Sequence, residues 1–157
     1  MRCARCAATE RSEANLHYHG LVASRATEVF LQSLKRCLAN PGFLDDFYVR
    51  FIGSSEEIAE KFRGVDMKHQ ARMLEDSLYV VAVAVQGGEG SPARDALPRL
   101  AELHSRRGLD IRPELYDLWI GCLVETARAH DPEFSPEGES AWRETLAVGA
   151  DYMRQRY

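Results

Sequence analysis

The chain has 157 residues, 45% of them hydrophobic and 28% charged, the composition of one ordinary globular domain long enough to bury a real core. Its formal net charge is -4, with 20 Lys and Arg against 24 Asp and Glu and no basic block, so no nucleic-acid footprint is evident. The longest apolar run, Leu78 to Val85, falls far short of the ~20 residues of a membrane span, and no secretory signal is visible, so a cytoplasmic protein without room for a reductase module is expected.

Residues 1–24 carry little hydrophobic periodicity and are expected to form an extension ahead of a single domain, 25–157. Within it Cys3, Cys6, His17 and His19 give the spacing C-x2-C-x10-H-x-H, which departs from the usual zinc-finger pattern and reads as a mobile, reduced tail. From Ala26 the punctuation predicts helix after helix. A first helix over 26–39 ends at Asn40-Pro41-Gly42, and a second over 42–52 ends at Gly53-Ser54. Ser55-Glu56-Glu57 opens a short third that reaches Phe62 and breaks at Gly64. A long fourth runs from Asp66 to Gln86 and stops at Gly87-Gly88. Ser91-Pro92 opens the fifth, which Pro98 is expected to bend or restart and Gly108 to close. Pro113 opens a sixth to His130, and Ser135-Pro136 opens the last, which runs nearly to Tyr157. The prediction is an all-α domain of seven to eight unequal helices. Cys37 and Cys122 fall inside apolar patterns and read as small core residues.

Two apolar stripes carry polar residues. Met67, Ala71, Leu74, Leu78, Val81 and Val85 recur at helical spacing, which settles the Leu78–Val85 run as helix rather than strand. Gln70 leans over that face, whereas His69 lies about 100° around the helix on a more polar flank. Leu97, Leu100, Ala101 and His104 form a second inward stripe. A lone inward histidine is either a satisfied core residue or a ligand, and imidazole is the common metal-binding side chain. On the second helix Phe43, Phe47 and Phe51 share one side, with Leu44, Tyr48 and Ile52 beside them; a buried Tyr48 hydroxyl needs a hydrogen-bond partner.

In this order the motifs resemble a bacterial single-domain haemoglobin of the globin family, over roughly residues 25–157. Asp46-Phe47-Tyr48-Val49-Arg50-Phe51 is similar to the second-helix segment of flavohaemoglobin-type globins, whose tyrosine enters the distal haem pocket. Phe62, fourteen residues on, matches the corner phenylalanine that packs on haem. Asp66 to Leu74 resembles the distal helix, with Gln70 at the gate and Leu74 four residues later. Leu100-Ala101-Glu102-Leu103-His104 followed by Arg106-Arg107-Gly108 matches the proximal helix and its histidine. Ile111 to Tyr116 matches the start of the next helix, and Ala141-Trp142 the entrance of the last.

The resemblance implies a globin fold around haem b, with His104 as the proximal iron ligand. Tyr48 and Gln70 would be distal hydrogen-bond donors, with His69 the alternative gate. Leu74 would sit beside the ligand, and Phe47, Phe62, Leu78, Leu97, Leu100 and Tyr116 would line the haem pocket. Tyr116 either supports the imidazole or simply packs between helices. Flavohaemoglobins end their proximal network in a glutamate on the last helix; here Gly149 to Tyr157 offers only Asp151, and His130 reads as structural. The implied function is reversible binding of O2 or another diatomic gas, NO or CO, for storage, transfer or sensing. The alternative is NO dioxygenation with an external reductase, and a third reading is a haem-free helical interaction domain. The N-terminal extension is similar to that of globin-coupled sensors. A monomer or homodimer is expected.

Overall fold

The computed structural model describes residues 25–86 and 92–157, so the Cys3, Cys6, His17, His19 set and the Gly87-Gly88 break lie outside the described residues. The described residues form seven α-helices and no strand: α1 (25–38), α2 (Phe43–Gly53), α3 (Glu56–Lys61), α4 (Met67–Gln86), α5 (Pro92–His104), α6 (Leu115–His130) and α7 (Pro136–Arg154).

The helix ends follow local chemistry. Asn40 Oδ1 accepts the Gly42 amide at 3.0 Å, closing the turn into α2, whose first turn holds Asp45 and Asp46 against the positive helix end. Gly64 has φ 75°, a conformation open to glycine, and separates α3 from α4. Asp66 caps α4, its Oδ1 accepting from the Lys68 and His69 amides at 3.0 and 3.2 Å. Ser135 Oγ accepts the Gly138 amide at 3.1 Å and starts α7, with Pro136 in the first turn.

Three boundaries differ from the sequence expectation. Pro98 neither ends nor restarts α5, which continues through it. The carbonyl its ring crowds, four residues back, belongs to the first turn of the helix, where the backbone has freedom to adjust. α5 ends at His104, before Gly108, because the chain folds back there: the Leu109 amide donates to the Leu103 carbonyl at 2.8 Å. A Cβ on Gly108 would sit 2.2 Å from that carbonyl oxygen, so the reversal admits only glycine. α6 starts at Leu115 after a turn in which Leu115 N donates to Arg112 O at 3.0 Å.

One contiguous apolar core joins six of the helices. It includes Phe30, Leu34 and Cys37 from α1, Phe43, Phe47 and Phe51 from α2, Leu74 and Leu78 from α4, Leu123 from α6 and Trp142 from α7, with Ile58 from α3. Trp142 is fully buried, edge-on to Phe30 at 4.7 Å. α7 approaches α4 so closely at Gly149 that an added Cβ would lie 2.8 Å from Val81 Cγ2. The buried residues of α5, Leu97 and Ala101, stand outside that contiguous core.

A buried polar knot fixes α1 against the α6–α7 turn. Asp131 accepts from Ser33 Oγ at 2.5 Å, from Arg36 at 2.6 and 2.9 Å, and from the Glu133 amide at 2.9 Å. Trp142 Nε1 donates to Ser33 Oγ at 2.9 Å, extending the knot to α7. Burial alone would push the Asp131 carboxyl up; the hydrogen bonds from Arg36 and Ser33 outweigh it and hold the group below the usual range.

Candidate functional site

The sequence candidates fall into two groups, one on α2 and the elements packed against it and one on α5. The first group is aromatic and belongs to the core. Residues 43, 47 and 51 repeat every four positions, so α2 presents a continuous ring-bearing face, and Tyr48 stands at its edge. Phe47 stacks on Phe51 at 5.3 Å and meets Tyr48 edge-on at 4.9 Å. Phe62, carried by the corner after α3, reaches the same group, 5.6 Å from the Tyr48 ring and 5.9 Å from Phe51.

Tyr48 is buried, and its hydroxyl donates to the Gln70 backbone carbonyl at 3.2 Å. Burial raises the Tyr48 phenol to about 12, the bond at Gln70 opposing it, so the hydroxyl keeps its proton. The polar partner that the sequence demanded for Tyr48 is thus the first turn of α4. Gln70 is half-buried on that turn, while the neighbouring His69 is exposed. Leu74 and Leu78, one and two turns on, are buried in the core beside the α2 rings.

The other group lies on α5. Its periodicity buries Leu97 and Ala101 and leaves Leu100 and His104 half-buried on the neighbouring stripe. His104 Nδ1 lies 2.8 Å from the Leu100 carbonyl oxygen. A carbonyl only accepts, so Nδ1 carries a proton, and the tautomer this selects in a neutral ring is the one with its lone pair on Nε2. This is the state in which a histidine ligates a metal, with its ring orientation fixed by the second nitrogen. An open groove of about 480 Å³ runs between α4 and α5, along Met73, Ser77 and Val80 on one wall and Ala96 and Leu100 on the other. Neither His104 nor Leu74 lines it.

Tyr116 is buried in the first turns of α6, with the Arg154 guanidinium 5.9 Å above its ring. Burial raises its phenol to about 12, with the Arg154 charge acting the other way. Asp151, the single acid of the final stretch, pairs with Arg154 at 2.7 Å on the surface. His130 closes α6 with Nε2 2.8 Å from Asp46 Oδ2, a tie between α6 and α2.

The donor set fits haem. Among the described residues no group of three or more His, Cys, Asp or Glu side chains gathers to cage a bare ion. A single imidazole with its ring orientation fixed, in a helical fold with a buried aromatic cluster, suits an iron that brings its other ligands in its own ring.

The sequence reading left out what holds the turn that follows His104. Lys61, Asp110 and Tyr157 meet there, through contacts 47 to 49 residues apart in the chain. No spacing rule links them, and the one local hint is that Asp110 follows the Gly108 reversal.

A helical fold with an oriented histidine on one helix and a buried aromatic cluster around Tyr48 narrows the class, and the comparisons place the chain within it. The globin family model matches residues 45–153. The crystal structure of protein PA3967 from Pseudomonas aeruginosa PAO1, described as structurally highly homologous to a human hemoglobin, is similar in sequence and fold. The two share 37% identity over 84% of this chain and 98% of that one, with a TM-score of 0.79. No curated protein matches. The chain belongs to the globin family.

Proposed function

We propose that residues 25–157 form a haem b globin domain that reversibly binds O2 or another diatomic gas. The observation that carries this reading is the His104 Nδ1 to Leu100 carbonyl bond at 2.8 Å, which leaves Nε2 available as the axial ligand. When bound, haem supplies an iron with one position for a gas. The chain's own residues do the rest. The Leu100 carbonyl holds the His104 ring in one tautomer and orientation. Phe47, Phe62, Leu74 and Leu78 exclude water from one face, and Leu97 and Leu100 back the histidine. Tyr48 offers a neutral hydroxyl, and the Gln70 side-chain amide a second donor. The exposure of His69 supports Gln70 as the gate. Tyr116 packs beneath Arg154 and stiffens the start of α6.

The Tyr48 phenol beside Gln70 also favours a second reading, NO dioxygenation, with electrons from an external reductase. Repeated additions of NO with O2 and a reductase present separate the two: nitrate in many-fold excess over haem supports the second, and one nitrate per haem followed by a lasting ferric spectrum supports carriage. A visible spectrum of the purified chain reconstituted with haem tests both. A Soret band that shifts on reduction and again under CO is expected; a spectrum identical to free haem overturns the proposal and leaves the haem-free helical domain.

A further inference from the structure

The turn that follows His104 is held from outside by more contacts than a surface loop requires. The Lys61 ammonium donates to the Leu109 and Asp110 carbonyls at 3.2 and 2.7 Å. Asp110 has φ 52°, a left-handed conformation that side-chain-bearing residues seldom adopt and that persists only where surrounding contacts impose it. All three of its polar groups are engaged. Its amide donates to the Ser105 carbonyl at 2.9 Å, its carbonyl accepts from Lys61, and its carboxylate accepts from the Tyr157 hydroxyl at 2.7 Å. The next amide, Ile111 N, donates to the carbonyl of His104 itself at 3.0 Å. Arg106 covers the Tyr157 ring at 4.9 Å, and Arg112 pairs through two nitrogens with Glu57. Lys61 and Glu57 both belong to α3, and Lys61 is the residue before Phe62.

Resting on the haem reading above, we propose that Lys61, with Asp110 as its receiver, is a positioning residue for His104. Phe62 directly follows α3, and α3 itself grips the histidine's turn through Lys61 and Glu57. The packing of α5 on α4 and α7, where Leu97 and Ala101 are buried, holds the helix, and Lys61 with the Arg112–Glu57 pair adds a polar tie from α3 to the turn that follows the imidazole. The C-terminal Tyr157 anchors the receiver from the opposite direction. A polar clamp suits this place: its carbonyl acceptors fix a position, whereas apolar packing would admit sliding.

The experiment uses the full chain with Lys61→Met, which keeps the stem and removes the ammonium, and Lys61→Arg, which retains a donor. In the haem-free chain, hydrogen exchange at residues 109–111 reads the clamp directly. Lys61→Met is expected to speed it at least about fivefold, the scale of a lost charge-assisted bond at a half-exposed site, and Lys61→Arg to restore it. In the haem-loaded, reduced chain, the iron–histidine stretching band reads the imidazole position; it is expected to shift in Lys61→Met and return in Lys61→Arg, with faster haem transfer to an apo-acceptor. Unchanged exchange overturns the clamp. Faster exchange with an unmoved band overturns the positioning role while leaving the haem reading intact. A wild-type chain that takes up no haem overturns the gas-binding reading and the positioning role together, and the exchange result alone then reports whether Lys61 holds the corner.

Discussion

Tyr48→Phe separates a structural hydrogen bond from a functional one, because the two have different sizes. The hydroxyl makes one neutral bond, 3.2 Å long, to the Gln70 carbonyl, an oxygen that α4 also satisfies from within. Phenylalanine keeps the ring contacts at 4.9 Å to Phe47 and 5.6 Å to Phe62, so the volume of the core is unchanged. The cost to folding is then about 1 kcal/mol, a fall in Tm of about 2–4 °C for a domain of this size. Against a gas ligand the same hydroxyl leaves the Gln70 carbonyl and donates to a polarised acceptor, a net gain of about 0.5–2 kcal/mol, so O2 dissociation should quicken by roughly two- to thirtyfold. Thermal unfolding followed by circular dichroism gives the first quantity, and stopped-flow displacement of O2 by CO gives the second. A melt lowered by a few degrees with dissociation changed less than twofold would show that Tyr48 serves only as a brace for α4. A melt lowered by more than about 10 °C would refute the arithmetic itself, since one neutral bond has no such weight.

Four further outcomes follow from particular contacts. His104→Ala should abolish stable haem uptake, and free imidazole should partly restore the Soret band; a variant with full haem content and an unshifted spectrum would remove His104 from the axial role. Asp131→Asn should cost about 2–4 kcal/mol, since Ser33 and Arg36 lose a buried carboxylate, with Arg36 partly reaching water. Because the Asp131 carboxyl is held below its unfolded value, that stability is complete above about pH 4 and fades as pH falls through the folded value; urea midpoints should therefore show a constant gap from pH 7 to about 5 that narrows in acid. Gly149→Ala should destabilise by about 1–3 kcal/mol through overpacking on Val81, and Val81→Ala in the same chain should recover most of it; additivity of the two would contradict the close approach. Burial raises the Tyr48 and Tyr116 phenols and the Cys37 thiol to about 12, so the folded chain holds protons that the unfolded chain releases, and stability should decline from about pH 9 upward; a flat alkaline profile by urea titration would exclude it.

The helical architecture was legible because each stripe repeats at the helical period and each end carries a cap or a breaker. Asp66, Ser135 and Gly64 act in the structure as their types suggest. The juxtaposition of Tyr48 with the Gln70 turn could be anticipated from the family resemblance, and burial alone required some partner for the phenol. Boundaries around α5 were less legible. A proline's effect depends on which turn it crowds, and the end of a helix depends on where the chain must fold back, which is a tertiary matter. The Asp131 knot and the Lys61 clamp were not legible at all. Each joins residues nearly fifty or more positions apart, and neither a surface-looking lysine nor an aspartate after a helix announces its partner.

The two sides of the pocket are held by different forces, and this bears on how the site can respond. Phe47, Tyr48 and Leu74 belong to the contiguous core, so their positions are fixed by close packing, which is insensitive to salt and near-neutral pH. α5 is attached differently. Its buried residues lie outside that core, and the turn after His104 is held by Lys61, Tyr157 and the Arg112–Glu57 pair at the surface. Such bonds are individually weak and are screened by ions. α5 also packs on α4 and α7, where Leu97 and Ala101 are buried, so a movement of His104 needs that packing to shift as well as the surface bonds to exchange. If haem binds as proposed, the polar part of the attachment at the turn after His104 is the part that salt weakens while the core stays packed.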